Sequence, residues 1–301
     1  MSDISHSALR TPHYTYKPNG EVPPGEQLPA GLRRIALGVE YCGARLHGFQ
    51  KQKSAAQTVQ AYLEQALSSI AAEPVTLVCA GRTDAGVHAT GQVIHFDTAA
   101  ERPLRAWVQG VNTQLPDAVR VRWAREMPAQ FHARFSARAR SYRYLIHSAP
   151  TRSAHVAGEV TWTQHPLDLV AMRAGAKYLL GRHDFTSFRA TQCQAKSPVR
   201  EISRLDLAPV GQLIVLEVSA NAFLHHMVRN ITGVLMAVGR GERPPEWVGQ
   251  VLGARDRSAG GVTAPPFGLY LVDVQYPEEF QLPQVEPGPL LVPLPLGGLG
   301  K

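Results

Sequence analysis

The chain has 301 residues, 44% of them hydrophobic and 18% charged, with a formal net charge of +7 and a pI near 9.5. That length allows one large domain or two ordinary ones with a sizeable core, and no apolar run approaches the ~18 residues that span a bilayer. The cysteines, Cys42, Cys79 and Cys193, lack CxxC spacing, which excludes a disulfide framework or a structural zinc site and fits a reducing cytoplasm.

Residues 1–31 are rich in Pro, Gly, Ser and Thr without periodicity, and residues 277–301 carry Pro277, Pro283, Pro287, Pro289, Pro293 and Pro295. Both stretches are expected to be disordered tails. Residues 1–10 hold no apolar segment, so no secretory signal is expected. Between the tails, residues 34–41 alternate with period two, a strand. Residues 58–71 place Val59, Tyr62, Leu63, Ala66, Leu67 and Ile70 at helical spacing, and Pro74 ends that helix. Strands over 75–79 and 92–96, a short helix over 103–111 and a strand over 119–125 complete a first half, 32–140. The second half, 141–276, follows the same order: strand 142–147, helix 167–180, strands 200–208 and 212–219 around a turn at Pro209–Gly211, helix 223–238 and a strand over 269–274. Each half reads β-α-β-β-α-β, the split-βαβ order. Two such units joined through their sheets predict an α+β protein with a mainly antiparallel sheet and a cleft between the halves. Sheets of this kind commonly present a face to RNA.

The loop Ala80–Gln92 is the densest candidate for chemistry. Its three glycines suggest positive φ or close backbone approach to another molecule. Asp84, two residues from Arg82, is a candidate nucleophile or base. The same pair fits a surface ion pair in a hairpin loop equally well. Tyr142 and Tyr144 share one face of a strand, where a tyrosine stacks on a base or fills the core. His225-His226 opens a helix without a further ligand at i+4, so no metal is expected, and Arg229 one turn on is placed to face the cleft. No phosphate-binding loop or dinucleotide fingerprint is present, so no nucleotide cofactor is indicated.

Of the 31 basic residues 25 are Arg, and seven of these (120, 122, 125, 134, 138, 140 and 143) fall between Arg120 and Arg143 against the single acid Glu126. That density reads as a phosphate-binding face, since the guanidinium fork suits phosphate. A solvated surface in an Arg-rich chain is the alternative. A binding module without catalysis and a nucleoside hydrolase are the competing functional readings. The hydrolase is disfavoured because such enzymes use two carboxylates and the loop has one.

The run AGRTDAGVHATGQV at 80–93 resembles the signature of the tRNA pseudouridine synthase A family. Gly48-Phe49-Gln50, residues 131–137 (FHARFSA), Tyr142-Arg143-Tyr144, residues 183–188 (HDFTSF), residues 221–230 (NAFLHHMVRN) and Ala264-Pro265-Pro266 with 268–271 (GLYL) resemble it in the same order. One departure is the first loop, Tyr41-Cys42-Gly43 with Leu46, where the family often has Tyr-Asp-Gly and then an aromatic residue. The resemblance covers about residues 33–276. It implies a pseudouridine synthase fold and isomerisation of uridine at positions 38, 39 and 40 of the tRNA anticodon stem-loop. It also implies a cytoplasmic homodimer with no cofactor and no metal. By the same resemblance Asp84 is the catalytic residue, Arg82 its partner and Tyr142 the residue stacking on the target base. Arg125, Arg134, Arg138, Arg229, Lys51 and Lys53 are then expected to contact the RNA.

Overall fold

The computed structural model describes residues 28–52 and 57–292. The expected N-terminal tail up to residue 27, and Lys53, lie outside the described residues.

The elements in chain order are β1 (Arg33–Tyr41), α1 (Val59–Ala71), β2 (Val78–Cys79), β3 (His88–Thr98), β4 (Val119–Met127), β5 (Ala139–Ser148) and β6 (Thr161–Thr163). They continue with α2 (Leu169–Ala176), β7 (Gly181–Asp184), β8 (Val199–Val210), β9 (Leu213–Ala220), α3 (Met227–Gly239), α4 (Trp247–Ala254) and β10 (Leu269–Gln275). Among the described residues, all ten strands belong to one sheet ordered β4-β1-β3-β10-β5-β9-β8-β7, with β2 on β3 and β6 on β5. Most pairs are antiparallel, and the two halves meet where β10 runs parallel to β3 through Tyr270 opposite His88 and Leu271 opposite Ala89. This is the expected mixed α/β class with a mainly antiparallel sheet.

Local chemistry explains the elements. Thr58 caps α1, its hydroxyl accepting from Ala61 N at 3.3 Å. The helix buries Val59, Leu63, Ala66, Leu67 and Ala71 and stops at left-handed Ala72. Asp168 caps α2 through Val170 N and Ala171 N at 2.8 and 3.0 Å. Helix α3 is buried on nearly every side rather than along one face. It begins four residues later than its apolar spacing predicts because His226 sits at φ +63°, which a right-handed helix cannot include.

Several expectations change. The short helix expected over 103–111 is present over 104–112, widened at Ala106–Gly110, whereas the strand expected over 75–79 pairs only at Val78 and Cys79. The periodic reading missed β6, β7 and α4. The disordered tail expected from 277 is corrected for residues 277–292, which form a strap packed on the body. Phe280 is buried with its ring 5.2 Å from that of Phe131, and Val292 is buried beside Leu145, Val215 and Tyr270. Pro287 O and Gly288 O accept from Arg143 Nη1 at 2.9 and 3.0 Å. Pro-rich composition obscured these apolar anchors.

Candidate active site

The loop between β2 and β3 is held by a dense set of bonds. Gln92 is fully buried; its amide bonds Gly81 O at 2.6 Å and Gly81 N at 3.3 Å, and reaches Tyr41 OH at 3.3 Å. Tyr41 OH in turn meets Thr83 Oγ1 at 2.7 Å, and Phe49 N donates to Thr83 O at 3.0 Å. Arg140 Nη2 donates to Ala80 O at 3.0 Å and to Arg134 O at 2.7 Å, so β5 grips the loop's entry. Gly86 has φ +81°, and a Cβ there would lie 2.8 Å from Pro266. Only glycine satisfies both conditions. His88 closes the loop, its Nδ1 accepting from Gly43 N at 3.1 Å and its ring stacked on Tyr270 at 4.4 Å. A loop tied at this many points fixes its one carboxylate in space.

Asp84, 28% exposed, faces the start of α3. His225 Nε2 donates to Oδ1 at 3.2 Å, His226 Nε2 lies 3.2 Å from Oδ2, and Arg229 Nη1 donates to Oδ2 at 3.3 Å. Arg229 is oriented by a second bond, Nε to Ala264 O at 2.9 Å. The charge partner of Asp84 is therefore Arg229. Arg82, the nearest guanidinium in sequence, is exposed, and among the described residues no carboxylate lies within ion-pairing distance of it. Burial pushes the His226 imidazole below its ordinary value, the carboxylate of Asp84 opposing this in part.

Tyr142 reaches the same place from β5. Its ring packs edge-on against Phe223 at 5.0 Å, and its hydroxyl lies 3.8 Å from the position of a Cβ on Gly81. Burial pushes the phenol up to about 12, with Arg140 opposing and the Asp84 carboxylate adding to the rise. The hydroxyl is thus neutral at physiological pH. Tyr144 is structural: its hydroxyl bonds Pro265 O at 2.7 Å and Thr161 Oγ1 at 2.6 Å.

The Arg cluster does not form one face. Arg143 is buried in an ion pair with Glu217 at 2.9 Å, Arg120 pairs with Asp117 at 2.7 Å and Arg122 with Glu40 at 2.8 Å. Arg125 binds Gln281 of the strap through its backbone carbonyl and Oε1. Arg134 and Arg138 are exposed. Lys51 is exposed and 3.5 Å from Glu64. The sequence singled out His225-His226 but not their place at the Asp84 carboxylate. Nothing local signals that a histidine pair 141 residues downstream faces Asp84.

A family model described as tRNA pseudouridine synthase matches residues 38–136 and 176–277. A tRNA pseudouridine synthase A of Pseudomonas aeruginosa is 62% identical over 273 residues, covering 90% of this chain and 96% of that protein. One of Alcanivorax borkumensis is 55% identical over 262 residues, covering 87% and 98% respectively. The chain belongs to the tRNA pseudouridine synthase family. That membership makes it an enzyme, an isomerase. Within the family match, the segment 38–136 contributes Asp84 and the segment 176–277 contributes His225, His226 and Arg229, so the site assembles from both.

Proposed function

We propose that this chain isomerises uridine to pseudouridine at positions 38, 39 and 40 in the anticodon stem-loop of tRNA, with Asp84 as the catalytic residue. The observation that carries the reading is a single carboxylate, fixed by the 80–92 loop and faced by Arg229 and two imidazoles, in a chain of this family. A uridine in a stacked stem is out of reach of any side chain, so the target must be flipped out first. Stacking on Tyr142 offsets part of that cost, at roughly 1–3 kcal/mol per base.

Asp84 then acts on the ribose, by attack at C1′ or removal of a proton at C2′. The bond from C1′ to N1 breaks, the uracil turns without leaving, and C5 bonds to C1′. The C5 proton is then lost. Tyr142, as a neutral phenol, serves this step by relaying the proton rather than as a standing phenolate. Arg229 steadies the carboxylate, and the exposed Arg82, Arg134, Arg138 and Lys51 contact phosphates. The fold is read as two split-βαβ units, supported by the parallel orders β4-β1-β3-β2 and β10-β5-β9-β8. The enzyme works as a cytoplasmic homodimer. Sedimentation of the free chain tests the dimer, and a monomer at working concentration removes it.

The function is tested by mapping pseudouridine on an unmodified tRNA transcript with the wild type and with Asp84→Asn, without added cofactor. Pseudouridine at 38–40 with wild type only supports both the reaction and the residue. Tight tRNA binding without pseudouridine in either protein returns the chain to the role of a binding module.

A further inference from the structure

We propose that Asp84, His225 and His226 form a binding site for one d-block divalent cation, of the Zn²⁺ type, whose occupation shuts off the active centre. Among the described residues this is the one grouping of three such side chains whose donor atoms converge, all lying within 4.8 Å of one another. Zinc takes nitrogen and oxygen donors at about 2.0–2.2 Å in a tetrahedron, whose edges are then roughly 3.3–3.6 Å. Asp84 stands 3.2 Å from each imidazole, through Oδ1 to His225 and through Oδ2 to His226, so with Oδ1 as the ligand the edge to His225 is already close to that length. The two edges to the His226 nitrogen, which lie within 4.8 Å, close by rotation of imidazoles that are 41% and 29% exposed.

The backbone sets up the pair. His226 is held at φ +63° before α3, His225 O accepts from Ala190 N at 2.9 Å, and the two rings lie 4.1 Å apart. Adjacent residues thereby direct both Nε2 atoms at one carboxylate. Three protein ligands leave a fourth position for water. Two imidazoles with one carboxylate suit Zn²⁺, Ni²⁺ or Cu²⁺ and not Mg²⁺ or Ca²⁺, which want oxygen shells.

Arg229 decides what kind of site this is. Its guanidinium, 3.3 Å from Asp84 Oδ2, repels a bound cation and competes for one oxygen. Oδ1 and the two imidazoles remain, so binding is reversible rather than structural. The inhibitory consequence rests on the proposed function, because a carboxylate engaged by a metal ion is not available to the ribose.

The test uses the full-length, untagged chain. Zn²⁺ is titrated in competition with a chromophoric chelator, and Co²⁺ is titrated for its visible spectrum. The proteins are wild type, Asp84→Asn, His225→Asn, His226→Asn and the double histidine variant. Asn tolerates the left-handed backbone at 226, and thermal unfolding checks each fold. The expected result is one ion per chain, a Co²⁺ spectrum of a four-coordinate site, and affinity lower by about tenfold or more in each single variant. Excess Mg²⁺ should not displace the ion. In parallel, Zn²⁺ should stop pseudouridine formation on a tRNA transcript and EDTA should restore it. Absence of binding, or binding unchanged in the double variant, overturns the site. Pseudouridine formation insensitive to saturating Zn²⁺ overturns the inhibitory role. Ligand-dependent Zn²⁺ binding in a chain that never forms pseudouridine supports the site and sinks the proposed function instead.

Discussion

Asp84 draws the His225 imidazole from 141 residues downstream, with His226 beside it, and its guanidinium from 145. Arg229 is therefore the residue whose loss should be felt at the carboxylate. Arg229→Gln is expected to lower kcat by about tenfold or more while changing KM for tRNA little, with Arg229→Lys partly restoring it. Single-turnover kinetics separate these, and an effect confined to KM would make Arg229 an RNA contact instead. For Tyr142→Phe, the buried neutral hydroxyl predicts unchanged tRNA affinity and turnover lower by about a hundredfold. Wild-type turnover in that variant would remove the hydroxyl from the mechanism. At this scale the sequence exposed Asp84 through its glycine-rich setting and Tyr142 through its place on a strand. It paired Asp84 with Arg82 on their proximity along the chain and on the family resemblance. In the fold Arg82 turns outward, and Arg229 arrives from the other half.

The arginine-rich stretch reads differently once β4 and β5 are in place. Charge density in a sequence counts guanidinium groups without their partners, and here the sheet supplies partners to most of them. Arg134 and Arg138 lie between β4 and β5 and remain exposed. Replacing either with Ala is expected to weaken tRNA binding and reduce the slope of log affinity against log salt by about one. Arg125→Ala should leave that slope unchanged and loosen the strap at Gln281. A reduced slope for Arg125→Ala would place RNA against β4. The join between halves offers a separate test. Gly91 in β3 lies against β10, and a Cβ there would stand 2.2 Å from Val272 O. Gly91→Ala must push the strands apart, costing about 1–3 kcal/mol. Thermal unfolding reads this as a lowered midpoint, and an unchanged midpoint would mean the strands separate freely. Period-two and helical spacing made β1, α1, β8 and β9 legible. The strap was not, because its prolines outweighed the few apolar residues that anchor it, and β6 and β7 are too short to show a period.

Among the described residues, three histidines are built into the core as acceptors. Gly43 N donates to His88 Nδ1, Ala133 N to His95 Nδ1, and Arg134 N and Phe135 N to His132 Nδ1, each at 3.1 Å. Burial is the main cause that lowers all three. His88 and His132 fall to about 4, the latter also pressed by Arg34 and Arg134, and His95 falls well below its ordinary value. A proton on any of these acceptor nitrogens would break the bond it makes. The unfolded chain carries ordinary histidines near 6.5, so it takes up protons between about 6.5 and 4 that the native state refuses. Stability is therefore fully present above 6.5 and is lost as pH falls. At pH 5.5 the loss is on the order of 1 kcal/mol for each of His88 and His132, and His95 adds a loss in the same direction. The upper part of this window, down to pH 5.5, lies above the ordinary carboxylate range, so the comparison there weights the histidines. Urea unfolding at pH 7.5 and 5.5 should show the midpoint drop. His132→Asn, whose amide oxygen can still accept from Arg134 N and Phe135 N, should shrink the pH dependence even if it costs stability at pH 7.5. A midpoint equal at the two pH values would mean that the core admits protons at these nitrogens. The sheet ends and the turn at residues 131–136 would then have to open without unfolding the rest.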